Sequence, residues 1–80
     1  MAKERIVTGI DIGSSKVCTI IAQVSDERIS VIGVSSVLSR GVKKGVIVDI
    51  DGAVGAIAAS LEAAERMAGY AVSQAFVLVN

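Results

Sequence analysis

The hydrophobic pattern changes twice along this 80-residue chain, and the changes limit the folds that the chain can adopt. Three segments, at about residues 5–12, 16–24 and 29–37, alternate apolar with polar positions or are rich in β-branched residues, which predicts strands. Apolar residues then recur at steps of three and four over about residues 50–69, which predicts a helix. A last apolar run at 75–79 predicts one more strand. The predicted order is therefore β-β-β-α-β.

The connections between these elements predict their topology. Short turns join the first three strands, so we expect an antiparallel meander. A strand that follows a crossover helix usually lies parallel to an earlier strand. The fold class is thus α/β, a mixed sheet with one helix on one face, and Gly33 within the third strand indicates a bulge or a close approach. Because the second sheet face has no helix, we expect an incomplete domain that forms part of a larger protein.

The helix carries its own start and stop signals. Asp49 or Asp51 can act as N-cap at the positive end of the helix dipole, and Gly69 is a natural C-terminal stop. One apolar stripe is expected to face the sheet, and its members are Ile50, Val54, Ile57, Leu61, Ala64 and Ala68.

The composition excludes several classes of function. Eight basic and eight acidic residues cancel and only two residues are aromatic, which argues against nucleic-acid binding. The chain has no histidine and Cys18 is its only cysteine, which excludes histidine catalysis, most zinc sites and an internal disulfide. No signal peptide is evident, and no apolar run reaches the roughly 18 to 20 residues of a membrane span. We therefore expect a cytoplasmic protein.

The turn between the first two strands carries residue types that suit phosphate binding. A turn rich in glycine and serine can direct main-chain N–H groups at an anion. Ser14 and Ser15 add hydroxyl donors, and Lys16 adds a positive charge. Gly13 permits a close backbone approach and unusual dihedral angles. The spacing is not that of a Walker A loop, since the next element is a strand.

Asp11 stands at the end of the first strand and suits Mg²⁺ held through its water shell. An unpaired carboxylate within an apolar strand is unfavourable, which favours a functional reason for this acid. The alternative is an ordinary hairpin turn, with Lys16 simply solvated.

A basic loop, 39–44, separates the third strand from the helix, and residues 46–48 add a few extended positions. Its cations either contact phosphate or a partner subunit or are simply solvated; they are Arg40, Lys43 and Lys44.

The stretch 9–17, Gly-Ile-Asp-Ile-Gly-Ser-Ser-Lys-Val, resembles the first phosphate motif of the actin-like ATPase superfamily. Further segments at 32–34, 39–49 and 64–69 resemble the FtsA family of bacterial cell-division proteins, and the Ser-Arg-Gly to Lys-Gly stretch within 39–45 is the most specific. The resemblance covers almost the whole chain. A PilM-like pilus-assembly protein and a sugar or acetate kinase remain alternatives, because they share the opening hairpin.

The resemblance implies an actin-like, ribonuclease H-like half-domain, in which residues 1–80 are the N-terminal part of the first ATPase subdomain. It also implies ATP and Mg²⁺ as ligands, weak or absent ATP hydrolysis, and an inactive isolated segment. The residues implied to face the phosphates are Asp11, Gly13, Ser14, Ser15 and Lys16, with Asp11 also holding Mg²⁺ through water.

The partners follow from the same resemblance. FtsA-like proteins polymerise and anchor the tubulin-like FtsZ ring, so FtsZ and further copies of the protein are implied as partners. The full-length protein would be peripheral on the cytoplasmic face of the inner membrane at the division site. The family's second phosphate motif, adenosine-binding segment and C-terminal amphipathic membrane helix would lie beyond Asn80.

Overall fold

A computed structural model of the chain describes residues 5–79. Its elements are β1 (Arg5–Ile12), β2 (Lys16–Val24), β3 (Ile29–Leu38), β4 (Val42–Lys43), β5 (Val46–Ile47), α1 (Ile50–Ala68) and β6 (Phe76–Val79). The larger sheet has the order β3-β2-β1-β6, in which β1 pairs antiparallel with β2 and parallel with β6. The predicted α/β class is confirmed, and the predicted element bounds agree to within one residue. β4 and β5 form a separate two-stranded sheet.

Capping fixes both ends of α1. Asp49 has an extended backbone, and its carboxylate accepts a hydrogen bond from the N–H of Gly52 at 3.3 Å. Gly69 has a left-handed backbone with φ 67°, and its N–H donates to the carbonyl of Glu65 at 2.8 Å. The N-cap is therefore Asp49, while Asp51 lies in the first turn near the positive end of the dipole.

Small residues form the face of α1 that packs on the sheet. Those that are buried are Ala53, Ala56, Ser60 and Ala64, with Ile57 and Leu61 half-buried beside them. The predicted apolar stripe is wrong at its start, because Ile50 is 71% exposed and Val54 is 57% exposed. The helix packs chiefly on β3 and β2, and its close approach to β3 admits only small side chains.

α1 approaches the sheet closely at Gly33 in β3. A Cβ atom at Gly33 would lie 2.4 Å from the carbonyl oxygen of Ala64 and 3.1 Å from the Cβ of Ala68. The β2–β3 register also shifts beside Gly33, between Ile21 and Ala22. Both the bulge and the close approach predicted at this glycine are confirmed.

A buried cluster of hydroxyls joins the same helix face to the sheet. The hydroxyl oxygens of Thr19 and Ser60 are 2.7 Å apart, and both residues are fully buried. The hydroxyl of Ser35 lies 2.9 Å from that of Ser60 and also donates to the main-chain carbonyl of Ser60. Since buried polar groups need partners, this cluster holds α1 at one position over β2 and β3.

The second face of the sheet has no helix over it within residues 5–79, as expected. Thr8, Ile10 and Ile12 alternate inward toward α1, whereas the open face presents exposed apolar side chains. These are Ile20, Val34, Phe76 and Leu78. The helix also leaves β6 uncovered. All four residues of that strand are therefore exposed, whichever face of the sheet their side chains lie on. Over the same described range, no helix is long and apolar enough to cross a bilayer.

Candidate phosphate-binding site

The β1–β2 turn closes through one hydrogen bond, from the N–H of Gly13 to the carbonyl of Lys16 at 2.9 Å. A Cβ atom at Gly13 would lie 3.1 Å from that carbonyl oxygen, so the expected close approach is present. The expected unusual backbone is not, because Gly13 lies outside the left-handed region. Ser14, Ser15 and Lys16 are all exposed at the tip of the turn, where their polar groups can meet a ligand.

Asp11 lies on the open face of the sheet. In the register of the sheet it pairs with Cys18 on β2 and with Leu78 on β6. Its side chain is exposed, so the expectation that a carboxylate in this apolar strand would be unfavourable is wrong. A shallow apolar concavity of about 370 Å³ begins beside it, and Ile20 and Phe76 are among its lining residues.

The parallel pair of strands fixes the position of this site within the sheet. β1 and β6 run in the same direction, and Ile12 near the end of β1 pairs with Val79 at the end of β6. Ligands of open α/β sheets bind beyond the carboxyl ends of parallel strands. Asp11 and the serine turn therefore lie at the carboxyl ends of these strands, where open α/β sheets hold their ligands.

The basic loop folds as a hairpin. Val42 and Lys43 pair with Ile47 and Val46 across a two-residue turn, and the turn residues Lys44 and Gly45 have φ values of 49° and 77°. Positive φ at both central positions defines a type I′ turn, which matches the twist of the flanking strands. The sequence signal for this turn is the lysine-glycine pair at 44–45 between two short extended segments. The sequence pattern predicted only the second of these segments, at 46–48.

The serine turn accepts two hydrogen bonds, one from this second hairpin and one from the residue that follows β3. The main-chain N–H of Lys44 donates to the hydroxyl of Ser14 at 3.2 Å, and the N–H of Ser39 donates to the carbonyl of Ser15 at 2.9 Å. The hydroxyl of Ser39 is itself buried and forms no hydrogen bond within residues 5–79. The sequence left open whether the basic loop contacts phosphate, a partner subunit or only solvent, and the fold places Lys44 of this loop against the turn.

The donor set at this edge fits a magnesium-bound phosphate. Within the part of the chain that the structure describes, no three acidic, cysteine or histidine side chains gather to hold a metal ion alone. Mg²⁺ commonly keeps several waters and binds one or two carboxylates together with substrate phosphates. Asp11 can provide that carboxylate, while Ser14, Ser15 and Lys16 provide groups that bind phosphate oxygens.

The mixed sheet with one helix is consistent with part of an actin-like α/β domain. No family model matches the sequence. Curated relatives do match it, and the three described here are each named cell division protein FtsA. The relative from Streptococcus pneumoniae is 46% identical over 72 residues, which are 90% of this chain and 16% of that protein. The relative from Bacillus subtilis is 40% identical over 80 residues, all of this chain and 18% of that protein.

A third relative, from Pseudomonas aeruginosa, is 39% identical over 74 residues, or 91% of this chain and 18% of that protein. Identity at this level over nearly the whole chain, in distant bacteria, places this segment in the FtsA family. The chain spans less than a fifth of the length of each of these three relatives.

Proposed function

We propose that this chain is the amino-terminal part of an ATP-binding cell-division protein, in which the β1–β2 hairpin binds the nucleotide phosphates. One observation supports this proposal above others. Asp11 and the hydroxyls of Ser14 and Ser15 are exposed at the edge where the parallel strands β1 and β6 end. That edge is where open α/β sheets hold ligands.

Each residue has a distinct role in the proposal. Ser14 and Ser15 donate hydroxyl protons to phosphate oxygens, and Lys16 supplies a point charge beside them. Asp11 holds Mg²⁺ through its water shell, and the bound ion neutralises phosphate charge. Gly13 closes the turn through its own N–H, so its part is to shape the turn. We propose nucleotide binding with weak or absent hydrolysis in the full-length protein, as the family resemblance implies.

The experiment is a titration of full-length protein with ATP at millimolar Mg²⁺. Asp11→Ala is expected to weaken binding on the order of tenfold, since a charge-assisted contact is lost. The weakening should largely disappear when Mg²⁺ is removed by chelation. Asp26→Ala is the matched control, because Asp26 is an exposed acid in the turn at the other end of β2. Equal ATP affinity for the parent and Asp11→Ala would reduce the hairpin to an ordinary turn.

The wider role rests on the family. We propose that the full-length protein polymerises, binds FtsZ, and associates with the cytoplasmic face of the inner membrane through a C-terminal amphipathic helix. The relatives described above carry the name of a cell division protein, which favours this branch over a pilus-assembly protein or a kinase. Full-length protein on lipid vesicles should recruit FtsZ, and removal of the C-terminal helix should abolish the recruitment. Recruitment without that helix would contradict the proposed anchoring.

The chain alone is expected to bind ATP weakly, because the remaining walls of the nucleotide cleft would come from later segments. A calorimetric titration of the 80-residue chain should therefore give no micromolar affinity. Micromolar binding would place the complete site within these residues.

A further inference from the structure

The β4–β5 hairpin contacts the serine turn through an atom that bears directly on phosphate binding. The main-chain N–H of Lys44 donates to the hydroxyl oxygen of Ser14 at 3.2 Å. A serine hydroxyl has one proton to donate and two lone pairs that accept. When Ser14 accepts from Lys44, its own proton stays available for another acceptor, and its rotation is restricted. The contact therefore prepares Ser14 to act as a donor.

The position of that N–H group is fixed by the base of the hairpin. Val42 is 5% exposed and belongs to the hydrophobic core, which anchors the first strand of the hairpin. The carbonyl of Gly41 accepts hydrogen bonds from the N–H groups of Val48 at 2.7 Å and Asp49 at 3.1 Å. Because Asp49 also caps α1, the hairpin base is continuous with the start of the helix.

The backbone of Lys44 is itself unusual. Its φ is 49°, and it is the only residue other than glycine with positive φ among residues 5–79. This conformation is unfavourable for lysine, whereas glycine and asparagine tolerate it well. A residue in such a conformation is held there by its surroundings. In this conformation the N–H of Lys44 donates to Ser14.

We propose that the main chain of Lys44, rather than its charge, is a positioning element of the phosphate site. It orients the Ser14 hydroxyl so that the proton of that hydroxyl meets a phosphate oxygen of the nucleotide. The inference rests on the proposed function of the serine turn. Lys44 acts through Ser14, and it is therefore a positioning residue.

Two substitutions at position 44 distinguish the effect of the backbone conformation on ATP binding from the effect of the charge. Lys44→Asn and Lys44→Val both remove the charge, but asparagine tolerates positive φ and β-branched valine does not. In full-length protein at millimolar Mg²⁺, Lys44→Val is expected to bind ATP about fivefold more weakly than Lys44→Asn. In a Ser14→Ala background the difference between the two variants should disappear, because the acceptor is gone.

The same titrations distinguish a failure of the proposed phosphate-binding function from a failure of the positioning inference alone. Ser14→Ala alone is expected to weaken ATP binding on the order of tenfold. If Ser14→Ala leaves the affinity unchanged, the proposed function of the turn fails. If Ser14→Ala weakens binding while Lys44→Asn and Lys44→Val bind equally, the positioning inference fails alone. A difference that persists without the Ser14 hydroxyl overturns it in the same way.

A measurement without nucleotide covers the case in which Lys44→Val does not fold. Ser14→Ala should speed hydrogen exchange in the peptide that contains residue 44, because the Lys44 amide loses its acceptor. Ser15→Ala is the matched control, since it retains the carbonyl that accepts from Ser39. Unchanged exchange in Ser14→Ala, or the same change in both variants, would overturn the inference.

Discussion

Gly33 is a position at which one added methyl group should have a large effect on stability. A Cβ atom there would lie 2.4 Å from the carbonyl oxygen of Ala64, which is 1.0 Å short of the 3.4 Å at which ordinary contact begins. The obstacle is the main chain of α1 near its C-terminal end, so it cannot rotate away as a side chain could. Relief requires the helix to rise from β3 by about 1 Å.

Two effects lower the stability of Gly33→Ala, and a third partly offsets them. Overpacking of a fitted contact costs about 1–3 kcal/mol. A rise of the helix also stretches the hydrogen bonds of Ser60 to Thr19 and Ser35, and each such bond contributes about 1 kcal/mol. Restriction of the unfolded chain by alanine offsets up to about 1 kcal/mol. We therefore expect Gly33→Ala to lower the free energy of unfolding by about 2–3 kcal/mol.

The assay is urea-induced unfolding of the purified chain, followed by circular dichroism at low protein concentration. Two glycines serve as matched controls, because a Cβ atom at either would meet nothing within 4 Å. Gly9→Ala changes a strand residue of β1 and should stay within about 0.5 kcal/mol of the parent. Gly55→Ala changes an exposed helix residue and should raise stability by about 1 kcal/mol. Equal midpoints for Gly33→Ala and Gly9→Ala would refute the reasoning.

Three further predictions concern the hydroxyl cluster, the helix cap and the open face. Ser60→Ala removes the partner of the buried Thr19 hydroxyl and should lower stability by about 1–3 kcal/mol, whereas adding Thr19→Val should recover part of the loss. Fully additive losses in the urea midpoint would contradict a shared bond. Asp49→Ala should lower stability by about 1 kcal/mol and Asp49→Asn by much less, so equal losses would argue against capping. The chain should self-associate through its open apolar face, and Phe76→Ser should lower its sedimentation coefficient. A monomeric parent chain would contradict that prediction.

Local sequence signals were sufficient for the elements and their ends. Strand alternation, the cap at Asp49 and the stop at Gly69 depend on neighbouring residues only, and each is confirmed. The buried face of α1 was not predictable in the same way. Hydropathy favoured Ile50 and Val54, but the packing of the helix on the sheet buries alanine and serine instead. That burial pattern arises from tertiary contact, which a periodicity does not contain.

The candidate site likewise combines features that the local sequence predicts with features that only tertiary contact determines. The residue types of the turn and their exposure follow from the sequence, and their role toward phosphate remains a prediction. The contact of Lys44 with Ser14 joins residues far apart in the chain, through a backbone group that has no signature in the side-chain pattern. Asp11 was proposed from its place at the end of the first strand, and the added argument from its apolar neighbours fails because it is exposed on the open face.

The order of strands in the sheet has a consequence for how the chain folds. β1, β2 and β3 pair with neighbours in sequence. β6 follows the helix in the chain and pairs with β1, the strand that is farthest from it in sequence. Contacts between distant residues form later because closing a long loop is entropically unfavourable, and synthesis delivers the amino terminus first. An intermediate without β6 therefore exposes an unpaired edge of β1. Such an edge can pair with another chain, so the strand that carries Asp11 is a point of vulnerability to misassembly in the nascent protein.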